Sequence, residues 1–264
     1  MQLAIYQVDA FTDRLFAGNP AAVCPLEAWL PDATMQAIAA ENNLSETAFF
    51  VPRGDDYDLR WFTPTVETEL CGHATQASGF VVMTKLVPQK STVRFHTRSG
   101  PLTVTRQGDS FAIDLPAQPP ALCAMPAKTL AALGPKPAQI LGASKYLVIY
   151  DSAAEVAALA PDTAALADID RDGVIASAPG PQGGKDGCDF VSRYFAPHAG
   201  IPEDPVTGSA HCTLVPYWAK RLGKTKLHAR QISRRGGELF CELRGERVVI
   251  AGRAAFYLEG KIHV

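Results

Sequence analysis

The chain is 264 residues long, 47% hydrophobic and 20% charged, enough for one large domain or two medium ones with a well-buried core. A formal net charge of −2 gives no electrostatic case for binding nucleic acid or an anionic membrane. No apolar run reaches the roughly 20 residues a spanning helix needs, and the six cysteines lack C-x-x-C spacing, which fits reduced thiols better than disulfides or structural zinc.

Met1 to Asp9 alternates like a strand and lacks the basic-then-apolar order of a signal peptide, so a cytoplasmic protein is the default expectation. Phe16-Ala17-Gly18-Asn19-Pro20 reads as a turn, because Gly permits positive φ and Asn-Pro resists regular continuation. Ala21 to Cys24 follows as a short buried strand, and a helix is expected from an Asp32 cap to Asn42-Asn43. Leu44-Ser45-Glu46-Thr47 then runs into the apolar strand Ala48-Phe49-Phe50-Val51. A carboxylate wedged between an apolar helix end and an apolar strand is poorly solvated, which raises its pKa toward the range of a general acid/base. The competing reading of Glu46 is a half-exposed loop residue bonded to nearby N–H groups.

Leu59 to Phe62 is expected as a strand, and a loop then leads to a helix from Ala74 to Met83. That helix is apolar nearly all round, which makes it a core helix. His73 lies at its first turn, where the positive end of the dipole favours a depressed pKa and a neutral ring; taken alone it also reads as a capping or packing residue. Cys71, beside the same helix start, is a candidate thiolate base. Val93 to His96, Leu102 to Thr105 and Phe111 to Leu115 read as strands, so the first half is mostly antiparallel sheet around two helices. Pro116-Ala117-Gln118-Pro119-Pro120 reads as an interdomain linker, dividing the chain into 1–117 and 118–264, with the last strand free to return to the first domain.

In the second half, helices are expected at Ala127 to Leu133, Glu155 to Leu159 and Thr163 to Ala167, and strands at Tyr146 to Tyr150, Gly173 to Ala176 and Asp189 to Phe195. Gly180 to Gly187 reads as a flexible surface loop. A long helix is expected from Gly208 to Leu222, containing Pro216 and stopping at Gly223. Three antiparallel strands close the chain, at Leu239 to Leu243, Val248 to Ala251 and Ala255 to Leu258.

The two halves share a plan. Arg60-Trp61-Phe62-Thr63-Pro64, then Glu67 and Glu69, then Cys71-Gly72-His73-Ala74 is followed downstream by Arg193-Tyr194-Phe195-Ala196-Pro197, then Glu203 and Asp204, then Gly208-Ser209-Ala210-His211-Cys212. In each copy a glycine and a polar neighbour stand where a helix starts, so free N–H groups there suit an anion. In Asp204-Pro205-Val206-Thr207-Gly208-Ser209, the proline sets the backbone, the hydroxyls supply donors and the glycine lets a ligand approach. A plain capping loop is the alternative. A metal centre built from Cys71, His73, His211 and Cys212 lacks a recognisable ligand spacing.

Gly18-Asn19-Pro20, Asn43-Leu44-Ser45-Glu46-Thr47, Arg60-Trp61-Phe62-Thr63-Pro64, Glu69-Leu70-Cys71-Gly72-His73-Ala74-Thr75 and Glu203-Asp204-Pro205-Val206-Thr207-Gly208-Ser209-Ala210 together resemble the PhzF phenazine-biosynthesis family, itself similar to diaminopimelate epimerase. The resemblance implies an α+β fold of two similar domains, each a curled, mostly antiparallel sheet around a central helix. It also implies an active site in the cleft between them and a homodimer. Carried over, Glu46 is the acid/base, with His73 and Asp204 as catalytic partners, and Gly72, Ala74, Thr207, Gly208 and Ser209 as substrate-binding residues. The reaction implied is a cofactor-free isomerisation of a small cyclic or amino-bearing carboxylate, of the dihydro-hydroxyanthranilate type, with no metal. Epimerase relatives use two cysteines, whereas here Ser209 stands opposite Cys71. A Cys71-based racemase or epimerase and a non-catalytic small-molecule binder are the rival readings.

Overall fold

A computed structural model describes residues 1–184, 187–197 and 200–264. The fold is α+β, and the chain divides into two compact units. The first comprises Met1–Asp114 with Ala251–Val264, and the second Leu115–Ile250. The boundary thus falls just before the proline-dense stretch, and the last strand belongs to the first unit.

In the first unit, β1 (Gln2–Ala10) lies between β18 (Ala254–His263) and β2 (Asn19–Pro25), antiparallel to both. β2 runs parallel to β3 (Glu46–Arg53), which is antiparallel to β4 (Asp56–Phe62). β4 pairs with the short β5 (Glu67–Thr68) and, in parallel, with β6 (Thr92–Thr97). β7 (Gly100–Gln107) and β8 (Ser110–Pro116) extend the antiparallel meander. The parallel β2–β3 step needs a crossover, supplied by α1 (Asp32–Asn42). The helix cap differs from expectation: Pro31 is the N-cap, and Asp32 is the first helical residue, its carboxylate bonded by Arg60. Asn43 takes the left-handed conformation that ends α1. Asn19 and Pro20, expected as turn residues, already belong to β2; the turn before them is completed at Gly18, with φ +64°.

The central helix of this unit is α2 (Gly72–Val81), continued by a π-helical turn over Val82–Leu86. Nine of its ten residues are buried, as an apolar helix wrapped by sheet requires. Gly79 permits the close approach of β7, because a Cβ there would lie 2.6 Å from a Val104 methyl.

The second unit repeats the scheme. β10 (Gln139–Gly142) is antiparallel to β9 (Ala121–Leu122) and to β11 (Tyr146–Ile149); β11 runs parallel to β12 (Val174–Pro179). β12 is antiparallel to β13 (Phe190–Ala196), and β13 pairs with β14 (Ile201–Asp204) and, in parallel, with β15 (Lys226–Gln231). β16 (Gly237–Arg244) follows antiparallel, and β17 (Arg247–Gly252) comes next in the chain. Besides α3 (Ala127–Leu133), this unit has α4 (Ala153–Ala158), which carries a capping box between Ser152 and Glu155 and makes the β11–β12 crossover. The central helix is α5 (Gly208–Leu222), with Pro216 inside it and Gly223 in the left-handed conformation at its end. The helix expected over Thr163 to Ala167 is instead a run of turns, held by Leu166 N–H and Ala165 N–H donating to Asp162. An Asp there captures the backbone locally instead of letting a helix propagate. Within the expected 180–187 loop, Lys185 and Asp186 lie outside the described residues. No helix is long and apolar enough to cross a membrane among the described residues.

Candidate active site

Each unit carries a cluster of buried polar side chains at the start of its central helix. In the first unit, β3 opens at Glu46, paired across the parallel ladder with Ala21. The Glu46 side chain is 13% exposed, and its Oε2 lies 3.4 Å from Nε2 of His73 in the first turn of α2. Nδ1 of His73 lies 3.2 Å from the Asn19 amide nitrogen and 3.4 Å from Cys71 Sγ. Burial pushes the His73 pKa down to about 3, so the ring is neutral at pH 7. The direction is the one expected at a helix N-terminus, but desolvation is its cause. With the Asn19 amide donating to Nδ1, the single ring proton sits on Nε2 and faces Glu46. Nε2 makes no hydrogen bond among the described residues.

Asn19, expected as a turn residue and as part of the Gly18-Asn19-Pro20 motif, was given no part in the site by the sequence. It is fully buried, and its place depends on Gly18, where an added Cβ would lie 2.2 Å from the Ala10 carbonyl oxygen. A polar residue squeezed between a positive-φ glycine and a proline at the head of an apolar strand was the available signal.

In the second unit, Asp204 ends β14 and Thr207 precedes α5; both are buried. The Thr207 hydroxyl donates to Asp204 Oδ2 at 2.5 Å. The buried Gln231 side chain accepts from Thr207 N–H at 2.8 Å and donates to the Asp204 carbonyl at 2.7 Å. Thus β15 clamps the loop that presents Asp204, and Gln231 is a second residue the sequence did not single out. Ser209 is half-buried in the first helical turn. His211 donates from Nδ1 to the Thr207 carbonyl at 2.8 Å, and burial lowers its pKa to about 4.

Neither helix has a side-chain cap: Cys71 and Thr207 occupy the N-cap positions in extended conformation. The first-turn N–H groups at Gly72, His73 and Ala74, and at Gly208 and Ser209, are therefore left without the usual side-chain acceptor. Burial raises the thiols of Cys24 and Cys212 to about 12 and that of Cys188 to about 11. These three are inert thiols, not thiolates. Among the described residues, the grouping suited to a metal ion is Glu46, Cys71 and His73, with donor atoms within 4.8 Å of one another; His211 and Cys212 are not part of it.

Residues 8–260 match the family described as phenazine biosynthesis-like protein. A Pseudomonas aeruginosa protein described as an uncharacterized isomerase is 55% identical over 264 residues, covering all of both chains. A crystal structure of a PhzF-family phenazine biosynthesis protein from Enterococcus faecalis superimposes with a TM-score of 0.94 at 45% identity, again covering both chains in full. A hydroxyproline epimerase from Agrobacterium vitis shares the fold, with a TM-score of 0.62 at 12% identity over 99% of this chain and 92% of that one.

Proposed function

The chain belongs to the phenazine biosynthesis-like protein family, and from that premise we propose that it is an isomerase working by general acid/base proton transfer through Glu46. The observation that carries the proposal is the 3.4 Å approach of Glu46 Oε2 to the neutral, buried His73 ring. An isomerisation that moves a hydrogen between carbons needs one group that removes a proton and returns it elsewhere. A carboxylate with little exposure is suited to that task, because losing water brings its basicity nearer that of an activated C–H. In this reading Glu46 takes the proton from one carbon and gives it back at another, leaving the enzyme unchanged. His73 presents its Nε2–H to the carboxylate from 3.4 Å and takes no proton itself.

Asp204, oriented by the Thr207 hydroxyl, is assigned to the amino or hydroxyl groups of the substrate. The first-turn N–H groups at Gly72, Ala74, Gly208 and Ser209, with Thr207 beside them, are assigned to its carboxylate. The substrate class is a small cyclic or amino-bearing carboxylic acid, and no metal or organic cofactor enters the chemistry. A homodimer in the cytoplasm is the assembly and compartment that go with this reading.

Proton NMR in D2O tests it. The protein is incubated with dihydro-hydroxyanthranilate and a panel of small amino and cyclic acids, beside a Glu46→Gln control. Deuterium entering a compound with the wild type but not with the variant is expected; exchange unchanged in the variant removes Glu46 from the mechanism.

A further inference from the structure

The two units can be aligned strand by strand, and the alignment exposes a lysine. Cys24, Phe49 and Arg60 are paired across β2, β3 and β4; Val148, Ala176 and Arg193 are paired in the same way across β11, β12 and β13. Counting back three residues from the first two of each set gives Ala21 and Glu46, at the heads of β2 and β3, in the first unit, and Lys145 and Gly173, each just before its strand begins, in the second. The second unit therefore has no side chain where the first has its acid. Beside it, in the bend that leads into β11, it has a lysine where the first has alanine. The side chains of a strand alternate between its faces. Cys24 packs in the core cluster that contains α1 residues, so Ala21, three residues away on the same strand, faces the other side, that of the central helix; Lys145 lies in the bend just before β11, and Cys212 on α5 and Asp204 act on its charge, which puts it on the side of that unit's central helix.

Lys145 is 7% exposed. Its Nζ lies 3.5 Å from Ser144 Oγ, 3.9 Å from the largely exposed Asp172 carboxylate and 5.9 Å from the centre of the Tyr194 ring. No carboxylate comes closer than Asp172 among the described residues. Ser144 is tied through its hydroxyl to Gln118, whose backbone N–H bonds the Cys212 carbonyl on α5. The turn bearing Lys145 is thereby anchored to the helix that begins with Gly208 and Ser209. A buried ammonium without a close counter-ion is costly unless something else neutralises it. The groups that act on it electrostatically are Asp172, Cys212 and Asp204, and burial outweighs their combined pull, lowering its pKa.

We propose that Lys145 is an anion-binding residue of the second unit and takes the carboxylate of the substrate. The inference rests on the reading of a carboxylate substrate given above, and adds to it a residue that selects anionic over neutral ligands. A bound carboxylate supplies the counter-ion that the folded protein places no nearer than Asp172, so binding draws a proton onto any neutral fraction of the amine.

The test compares two probes of nearly the same shape, cyclohex-1-enecarboxylate and cyclohex-1-enecarboxamide, by calorimetry with the full chain. The wild type is expected to prefer the acid, and Lys145→Met to bind it about 10- to 100-fold more weakly with the amide unaffected. Lys145→Arg should keep part of the preference. Independently of any variant, acetylation of Lys145 in the wild-type protein, followed by peptide mass spectrometry, should be slowed by the acid and not by the amide. Equal binding of the two probes by the wild type, an unchanged preference in Lys145→Met, or acetylation indifferent to the acid would each overturn the assignment. If acid binding depends on Lys145 but no deuterium exchange is found, the anion site stands and the isomerase falls. Exchange that is equally fast in Lys145→Met and the wild type gives the opposite result.

Discussion

Arg193 grips Glu203 through two parallel hydrogen bonds, Nε to Oε1 at 2.7 Å and Nη2 to Oε2 at 2.8 Å. In the other unit Arg60 grips Glu67 with the same atoms at the same distances. Each arginine also lies over the second aromatic after it, Phe195 or Phe62. The pair joins the last central strand to the loop that leads into the buried helix, so it fixes where that helix begins. Nη1 is used differently in the two copies. In Arg193 it donates to the Val156, Ala157 and Leu159 carbonyls at the end of α4, whereas in Arg60 it pairs with exposed Asp32.

That difference predicts unequal costs. Arg193→Ala leaves a half-buried carboxylate and three helix-end carbonyls without their donor, and should cost about 3 kcal/mol. Arg60→Ala loses the same bidentate pair plus a surface contact, and should cost about 1 to 2 kcal/mol. Urea unfolding of the two variants measures the order; equal costs would mean that the α4 contacts contribute nothing.

The two buried histidines should make the protein acid-sensitive well above the carboxylate range. Burial holds His73 at about 3 and His211 at about 4, against about 6.5 in the unfolded chain. Between those values the unfolded state binds the extra protons, so stability is complete above about pH 6.5 and falls as the pH drops below it. The slope approaches about 1.4 kcal/mol per pH unit for each histidine. His211→Gln should roughly halve the loss measured by urea unfolding between pH 7 and pH 5; an unaltered pH dependence would remove His211 as a contributor.

Much of this was legible because periodicity and local chemistry agreed. The apolar run after His73 could only be a core helix, and the repeated Arg-aromatic-Phe segment correctly paired Arg60 with Arg193. Glu46 and His73 could each be named from the residues, but only the family resemblance brought them together, because 26 residues lie between them. The parts played by Asn19 and Gln231 could not be read for the same reason: each acts by reaching across strands to a backbone or ring atom distant in sequence. The missed strands β10 and β15 are short or charged, with Gln139 and Lys226 at their starts, and carry too little alternation to announce themselves. Thr163 to Ala167 failed the other way, its helical composition overridden by the Asp162 side chain.

Cys71 separates the proposed mechanism from a thiol-based one. Its Sγ is 3.4 Å from His73 Nδ1, an atom already approached by Asn19. No second cysteine occupies the equivalent position, the N-cap of α5, which is Thr207. Cys71→Ser should therefore keep deuterium exchange within about tenfold of the wild type, since a hydroxyl can donate to the same nitrogen. Loss of activity comparable with that of Glu46→Gln would favour the cysteine as the base.

The last expectation concerns the tautomer of His73. With Asn19 donating to Nδ1, 15N NMR should show an unprotonated Nδ1 and a protonated Nε2 at pH 7. Asn19→Asp replaces that donor with an acceptor, which draws the ring proton to Nδ1 and turns the Nε2 lone pair toward Glu46. The carboxylate then loses its partner and meets a repelling one. Proton exchange should drop on the order of 100-fold, mainly in kcat, because the histidine orients the acid/base and does not bind the substrate. The new carboxylate also favours the imidazolium, so the His73 pKa should rise from about 3 and an acid limb should enter the pH–rate profile. Two outcomes would show that Asn19 does not set the tautomer: a variant whose 15N spectrum keeps the proton on Nε2, or one whose exchange rate is unchanged although the proton has moved.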